Sequence, residues 1–247
     1  MRFISVVVFV LNGLFAWAGP GRNLSVNGRA AQPNIPGSLQ LDFGFIQAIG
    51  EPTGFDQGFW GSRTVNLYYQ YRFRIGTSKF SVVPNLGLGL ERFKFVEEEN
   101  TLAYLPDGSV PPQITLQLTP ANTVVTADRI KKSMLIANYI DLPLEFRFDT
   151  NPDDIPRSFN IALGGRVGYL FESMTKIVYT ASGQVMKLKD KQDWELTKFR
   201  YSVHARIGVG SINLFFMYNL SPTFEEGKGP QATTMNSFTT GISLNGF

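Results

Sequence analysis

From Val65 to Ile75 the chain is apolar at every second position: Val65, Leu67, Tyr69, Tyr71, Phe73 and Ile75 alternate with Asn66, Tyr68, Gln70, Arg72 and Arg74. A period of two belongs to a β-strand with one apolar and one polar face. Seven further segments repeat it. Ser38 to Gln47 sets Leu39, Leu41, Phe43 and Phe45 against Gln40, Asp42 and Gly44, and Phe80 to about Phe95 sets Leu86, Leu88 and Leu90 against Asn85, Gly87, Gly89 and Glu91. A segment ending at Phe148 sets Ile140, Leu142, Leu144 and Phe146 against Asp141, Glu145 and Arg147. The next starts at Ser158, with Leu163, Val167, Tyr169 and Phe171 against Arg166, Gly168 and Glu172. About Trp194 to Gly208, Ile212 to Leu220 and the C-terminal stretch through Leu244 complete the set.

A strand of this kind turns its apolar face either to a protein core or to lipid. The N-terminus bears on that choice. Met1-Arg2, the apolar run Phe3 to Ala18 and the small-x-small ending Ala16-Trp17-Ala18 have the form of a secretory signal peptide over residues 1–18. The alternative, a retained anchor, would need about 20 apolar residues, and Asn12 and Gly13 interrupt this run. Residues 19–37, rich in Gly, Pro, Asn and Ala, form a flexible N-terminal segment, and 38–247 the folded domain. No later run is long enough to span a bilayer as a helix, so a membrane crossing requires a closed barrel that pairs every backbone group.

The connections alternate in length. Those near residues 48–63, 96–133, 174–193 and 221–234 are long; those at 76–79, 149–157 and 208–211 are short. Long outer loops and short periplasmic turns mark an outer-membrane barrel, and an even strand number leaves both termini in the periplasm. The expected fold is therefore all-β: an eight-stranded antiparallel up-and-down transmembrane β-barrel in the bacterial outer membrane. After Leu90 the apolar parity shifts to Phe93 and Phe95, which predicts a bulge or the strand leaving the bilayer. Aromatic belts are expected from Phe73, Phe80, Phe146, Phe148 and Phe159 at one interface. Phe93, Phe95, Tyr169, Phe171, Trp194, Phe199, Tyr218 and Phe238 would form the other.

The signal peptide, the eight alternating strands, the segment Tyr139-Ile140-Asp141-Leu142-Pro143-Leu144 opening a strand and the terminal Phe247 together resemble a known family. It is the small outer-membrane β-barrel family of Bacteroidetes, PorT-like and similar in architecture to the OmpX and OmpA barrels. The resemblance covers Ser38 to Phe247 and implies a barrel without implying an activity.

Eight strands leave a lumen just wide enough to be filled by side chains. The inward face would carry Asp42, Glu91, Asp141, Glu145 and Glu172. Facing them would be Arg72, Arg74, Arg147, Arg166, Lys198, Arg200 and Arg206, with the single histidine, His204. Buried charges must be paired, so this set reads as a polar network that plugs the barrel, with Glu145 serving arginines such as Arg147 or Arg166. A narrow ion path lined by an arginine excess is the alternative. Ser202 beside His204 raises a lipid-modifying or proteolytic barrel as another, and a soluble lipocalin-like barrel as a third. A packed lumen disfavours catalysis, so the protein is expected not to be an enzyme. Zero cysteines and one histidine exclude disulfides and disfavour a transition-metal site; no cofactor is expected.

A net charge of +3 implies no nucleic-acid partner. The partners expected are outer-membrane lipid and lipopolysaccharide, the barrel-insertion machinery, and an extracellular ligand at loops 96–133 and 174–193, with the protein a monomer in a structural or adhesive role. Within the second long loop Ile114 to Leu118 and Thr123 to Thr126 would pair; within the third, Thr175 to Thr180 and Val185 to Lys189 would. Such extensions are either solvated or offer an edge to a partner strand.

Overall fold

The computed structural model describes residues 37–246 apart from 56, 59 and 97–99. The expected signal peptide, the N-terminal segment up to residue 36 and Phe247 lie outside the described residues. The strands, numbered in chain order, begin with β1 (Ser38–Ile49), β2 (Arg63–Gln70), β3 (Phe73–Arg74) and β4 (Phe80–Lys94). There follow β5 (Asn100–Pro106), β6 (Ile114–Pro120), β7 (Arg129–Asp149) and β8 (Phe159–Ala181). The last are β9 (Gln184–Asp190), β10 (Phe199–Val209), β11 (Ile212–Asn219) and β12 (Asn236–Asn245).

Among the described residues eight antiparallel strands close a barrel in the order β1, β2, β4, β7, β8, β10, β11, β12. Closure is made by β1 against β12, from Gln40 opposite Asn245 to Ile49 opposite Asn236. The short β3 carries the line of β2 onward along β4. Parity holds as the alternation predicts. Leu67 (46% exposed), Leu142 (57%) and Leu163 (61%) point outward, while Asp42, Asn66 and Asp141 are fully buried inside. An apolar exterior around a polar interior excludes the lipocalin-like alternative, which needs the reverse.

At one end the turns are tight. Val209 and Ile212 pair across the two-residue turn Gly210-Ser211. Gly210 has φ of +59°, and a Cβ there would strike the Pro156 carbonyl oxygen. Only glycine satisfies both conditions.

At the other end the strands outgrow the barrel. β8 and β9 form a hairpin from Thr175 opposite Asp190 to Ala181 opposite Gln184, as the sequence predicts. In the second long loop β5 and β6 pair from Asn100 opposite Pro120 to Pro106 opposite Ile114. The expected partner segment, Thr123 to Thr126, lies in a short 3-10 turn and the bend after it. A strand upstream, with its own Leu102 and Tyr104, provides a longer apolar match than four residues could.

Of the two readings of the parity change after Leu90, the bulge is not found there, and the places of Phe93, Phe95 and Trp194 are corrected. The register of β4 against β7 stays in step from Glu91 opposite Ala137 to Lys94 opposite Met134. Phe93 and Phe95 therefore keep the inward parity of Glu91 and, at 1% exposure each, belong to no outer belt. What changes there is the interior, which turns from polar to apolar. Trp194 is likewise buried, and β10 begins at Phe199 rather than near Trp194. The bulge sits instead where the β7–β8 register shifts, so that Tyr139 faces Leu170 and Asn138 faces Glu172, leaving Phe171 as the extra residue.

Candidate functional site: a charged lumen under an apolar cap

Because every second residue of each strand points inward, charges from strands distant in sequence converge. Arg206 on β10 donates to both carboxylate oxygens of Asp42 on β1, Nη1 to Oδ1 at 2.8 Å and Nη2 to Oδ2 at 2.9 Å. Its Nε reaches Glu145 Oε1 at 2.8 Å, and His204 Nε2 meets the same oxygen at 3.1 Å. Glu145 thus serves Arg206 and His204, not Arg147 or Arg166, because residues on the same or an adjacent strand lie beside it while those across the lumen point at it.

A second cluster centres on Asp141. Arg200 Nη2 donates to Oδ2 at 2.6 Å and Nε to Oδ1 at 3.1 Å. Arg166 Nη1 (3.3 Å) and the Tyr68 hydroxyl (3.0 Å) donate to the same Oδ2. The free arm of Arg200 reaches Glu91 at 2.6 Å, and its guanidinium lies 3.6 Å from the Tyr139 ring centroid. Glycines make the room: a Cβ on Gly89 or Gly168 would collide with the Asp141–Arg200 pair. A third group closes the short-turn end, where Arg72 donates to Asp149 at 2.6 Å and Arg147 Nε to the same carboxylate at 3.2 Å.

Asp42, Glu91, Asp141, Glu145, Arg147, Arg166, Arg200, His204 and Arg206 are all buried, and Arg72 is half-buried at the mouth. Three expected members lie elsewhere. The bulge at Phe171 moves Glu172 opposite Asn138, on the outward side, where Asn138 Nδ2 (2.8 Å) and Lys191 hold it. Lys198 precedes β10 and pairs in the open with Asp193 at 3.2 Å. Arg74, past the strand break at Tyr71 and Arg72, reaches Asp153 on the exposed rim at 2.7 Å. Asp149, fully buried, was missed. It extends the odd parity of Asp141, Glu145 and Arg147 by one step, and that was the available signal. With these changes, among the described residues, five buried carboxylates face four buried arginines and Arg72, so the arginine excess behind the ion-path alternative disappears.

Ser202 and His204 share a face but not a hydrogen bond among those described. Ser202 Oγ contacts Asn219 Oδ1 at 2.5 Å and accepts from Arg166 Nη2 at 2.9 Å, while His204 is engaged by Glu145. A serine whose proton goes to an amide oxygen has no base to activate it.

Above Glu91 the interior becomes a continuous apolar cluster. The loop between β1 and β2 contributes Phe55, and the β5–β6 hairpin Leu102 and Leu116. The β9–β10 link adds Trp194 and Leu196, and the β11–β12 loop Phe224 and Met235. Beneath them lie Phe93, Phe95 and Leu135 from the strands. All four long connections therefore meet over the lumen; Phe55 and Phe224, from the first and last, pack edge to face with centroids 6.2 Å apart. The sequence signal was Met134-Leu135-Ile136-Ala137, apolar on both parities, as a strand buried on both sides must be. Outside the cap, β6 and the β11–β12 loop border an open cleft of about 600 Å³, lined by Tyr104, Gln117, Glu195, Lys228 and Gln231 among others.

A closed barrel with lipid-compatible walls, a paired ionic lumen and sorted loops defines the class. The family model "Outer membrane protein beta-barrel domain" matches residues 24–225, and the chain belongs to that family. Among solved structures it is similar to Ail, the attachment invasion locus protein of Yersinia pestis, at 13% identity, TM-score 0.35, covering 85% of this chain and 99% of that one. It is also similar to Neisserial surface protein A, at 10% identity, TM-score 0.34, covering 85% of this chain and 97% of that one. No curated protein matches the chain.

Proposed function

We propose that this is a monomeric, non-enzymatic surface barrel whose lumen is shut to ions and whose long loops form one rigid binding platform outside the cell. The observation that carries this reading is the stacking of a mutually paired charge network beneath an apolar cap drawn from all four long loops. An ion entering would have to displace charge-assisted bonds and then cross a dry layer, both costly. The cap also fixes the hairpins. Loops that only needed to be solvated would gain nothing from a shared core, whereas a recognition surface gains preorganisation. The cleft beside β6, which is an edge strand, is the place for an extracellular ligand. The alternation of long and short connections supports an orientation with the long loops outside and the termini in the periplasm, in keeping with export by a cleaved signal peptide. Placement among the PorT-like barrels of Bacteroidetes rests on the signal-like N-terminus, the eight alternating strands, the Tyr139 to Leu144 segment and the terminal Phe247 together.

Reconstitution of the protein in planar bilayers tests the reading. The expected result is a membrane without steady openings. Ion-selective steps in the wild type, abolished when the lumen arginines are exchanged, would establish the channel reading instead.

A further inference from the structure

On the outward side of the barrel, just past the apolar belt at the long-loop end, cations gather without counterions among the described residues. Arg63 on β2 faces Arg92 on β4, one outward position beyond the pair Val65 and Leu90. Lys94 faces Met134 on β7, and Met134 faces Lys176 on β8; Lys132 lies one outward position further along β7. These five residues span four neighbouring strands, about 15 Å at the usual inter-strand spacing.

The carboxylates of these strands do not answer them. Glu91, Asp141, Glu145 and Asp149 all point inward and are buried. The remaining one, Glu172, is held by Lys191 and Asn138. None of the five cations has an ion-pair partner among the described residues. Lys132 is itself half-buried at the edge of this group. Like charges collected at this density repel one another unless an anion sits among them.

The occupant can be read from the surroundings. Met134, Ile136 and Met174 are buried between the cations, and below the outward Asn138–Glu172 pair the exposed rows of Leu88, Ile140 and Tyr169 begin. A soluble anion would favour a concave polar pocket, whereas this is the convex wall of a barrel at the level where hydrocarbon gives way to headgroups. We propose that Arg63, Arg92, Lys94, Lys132 and Lys176 bind the phosphates of a phosphorylated glycolipid in the outer leaflet, its acyl chains lying along the apolar wall. The proposal rests on the orientation above, with the long loops outside, and gives a definite site to the lipid contact expected of any such barrel.

The full-length barrel in zwitterionic detergent is titrated with bisphosphorylated lipid A and with its dephosphorylated form, and bound lipid is counted by native mass spectrometry. The phosphorylated form should bind and the dephosphorylated form should not. Lys132→Gln with Lys176→Gln should weaken binding about twenty-fivefold, at about fivefold per cation, while Lys132→Arg with Lys176→Arg retains it. Lys187→Gln with Lys189→Gln on β9 serves as the surface-charge control and should change nothing. Equal binding of the two lipids, equal loss in the control, or displacement by millimolar inorganic phosphate would overturn the site. Cysteine labelling of whole cells at Val185 reports orientation separately, so a failed site and a failed orientation give different results.

Discussion

Arg206 and Asp42, 164 residues apart, meet across the lumen through two parallel hydrogen bonds, and Arg206 uses its remaining Nε on Glu145. One guanidinium therefore ties β1, β7 and β10 together. Arg200 does the same for β4 and β7 through Glu91 and Asp141. These bonds are made in a low-dielectric interior, where an unpaired charge is far more costly than a paired one.

Removing one partner should accordingly be severe. Glu145→Ala strips a bond from Arg206 and leaves His204 without its carboxylate, and is expected to cost about 3–5 kcal/mol in urea unfolding from lipid vesicles. Asp42→Asn, which keeps the shape but not the charge, should lose a similar amount. Pairing Glu145→Gln with His204→Gln should cost less than the sum of the two single changes. Additive losses would mean that the two side chains do not interact.

The outward face makes a different demand. Leu142 stands 57% exposed at mid-strand on β7, and Leu142→Arg should cost about 2–4 kcal/mol in the same assay. Leu142→Phe should be close to neutral. On face assignment alone its neighbour Asp141→Asn would be the milder change. The bonds it accepts from Arg200, Arg166 and Tyr68 reverse that expectation, and both changes should be costly.

Glycine opposite arginine is a packing requirement rather than a loose fit. Gly168→Ala places a methyl group against Asp141 and Arg200, and overpacking of this kind typically costs about 1–3 kcal/mol. Gly183→Ala meets no atom within contact distance, although its φ of +75° still strains a Cβ. Urea midpoints of the two variants should differ, with Gly168→Ala the lower. A barrel whose lumen were open would tolerate Gly168→Ala.

Topology can be read in whole cells. Single cysteines at Val185, on the β9 hairpin, and at Ser78, in the tight turn before β4, should respond oppositely to an impermeant maleimide. Val185→Cys is expected to label and Ser78→Cys to remain unlabelled until the outer membrane is opened. The reverse pattern would invert the barrel.

The period-two alternation was sufficient to place eight strands, their faces and the sorting of short from long connections. Each of these depends on residues close together in the chain: parity is a local property, and so is the turn chemistry of Gly210. That Arg206 chooses Asp42 and Glu145, and Arg200 chooses Asp141 and Glu91, was not legible, because which inward charges share a level depends on the stagger of strands far apart in sequence. Glu172 shows the same limit in reverse. One extra residue at Phe171 moved it out of the lumen, and a bulge of that kind is visible only when two strands are laid side by side. The apolar cap is wholly a product of the tertiary structure. Phe55, Leu102, Trp194 and Phe224 come from four long connections far apart in sequence, and barrel closure brings those connections over one opening.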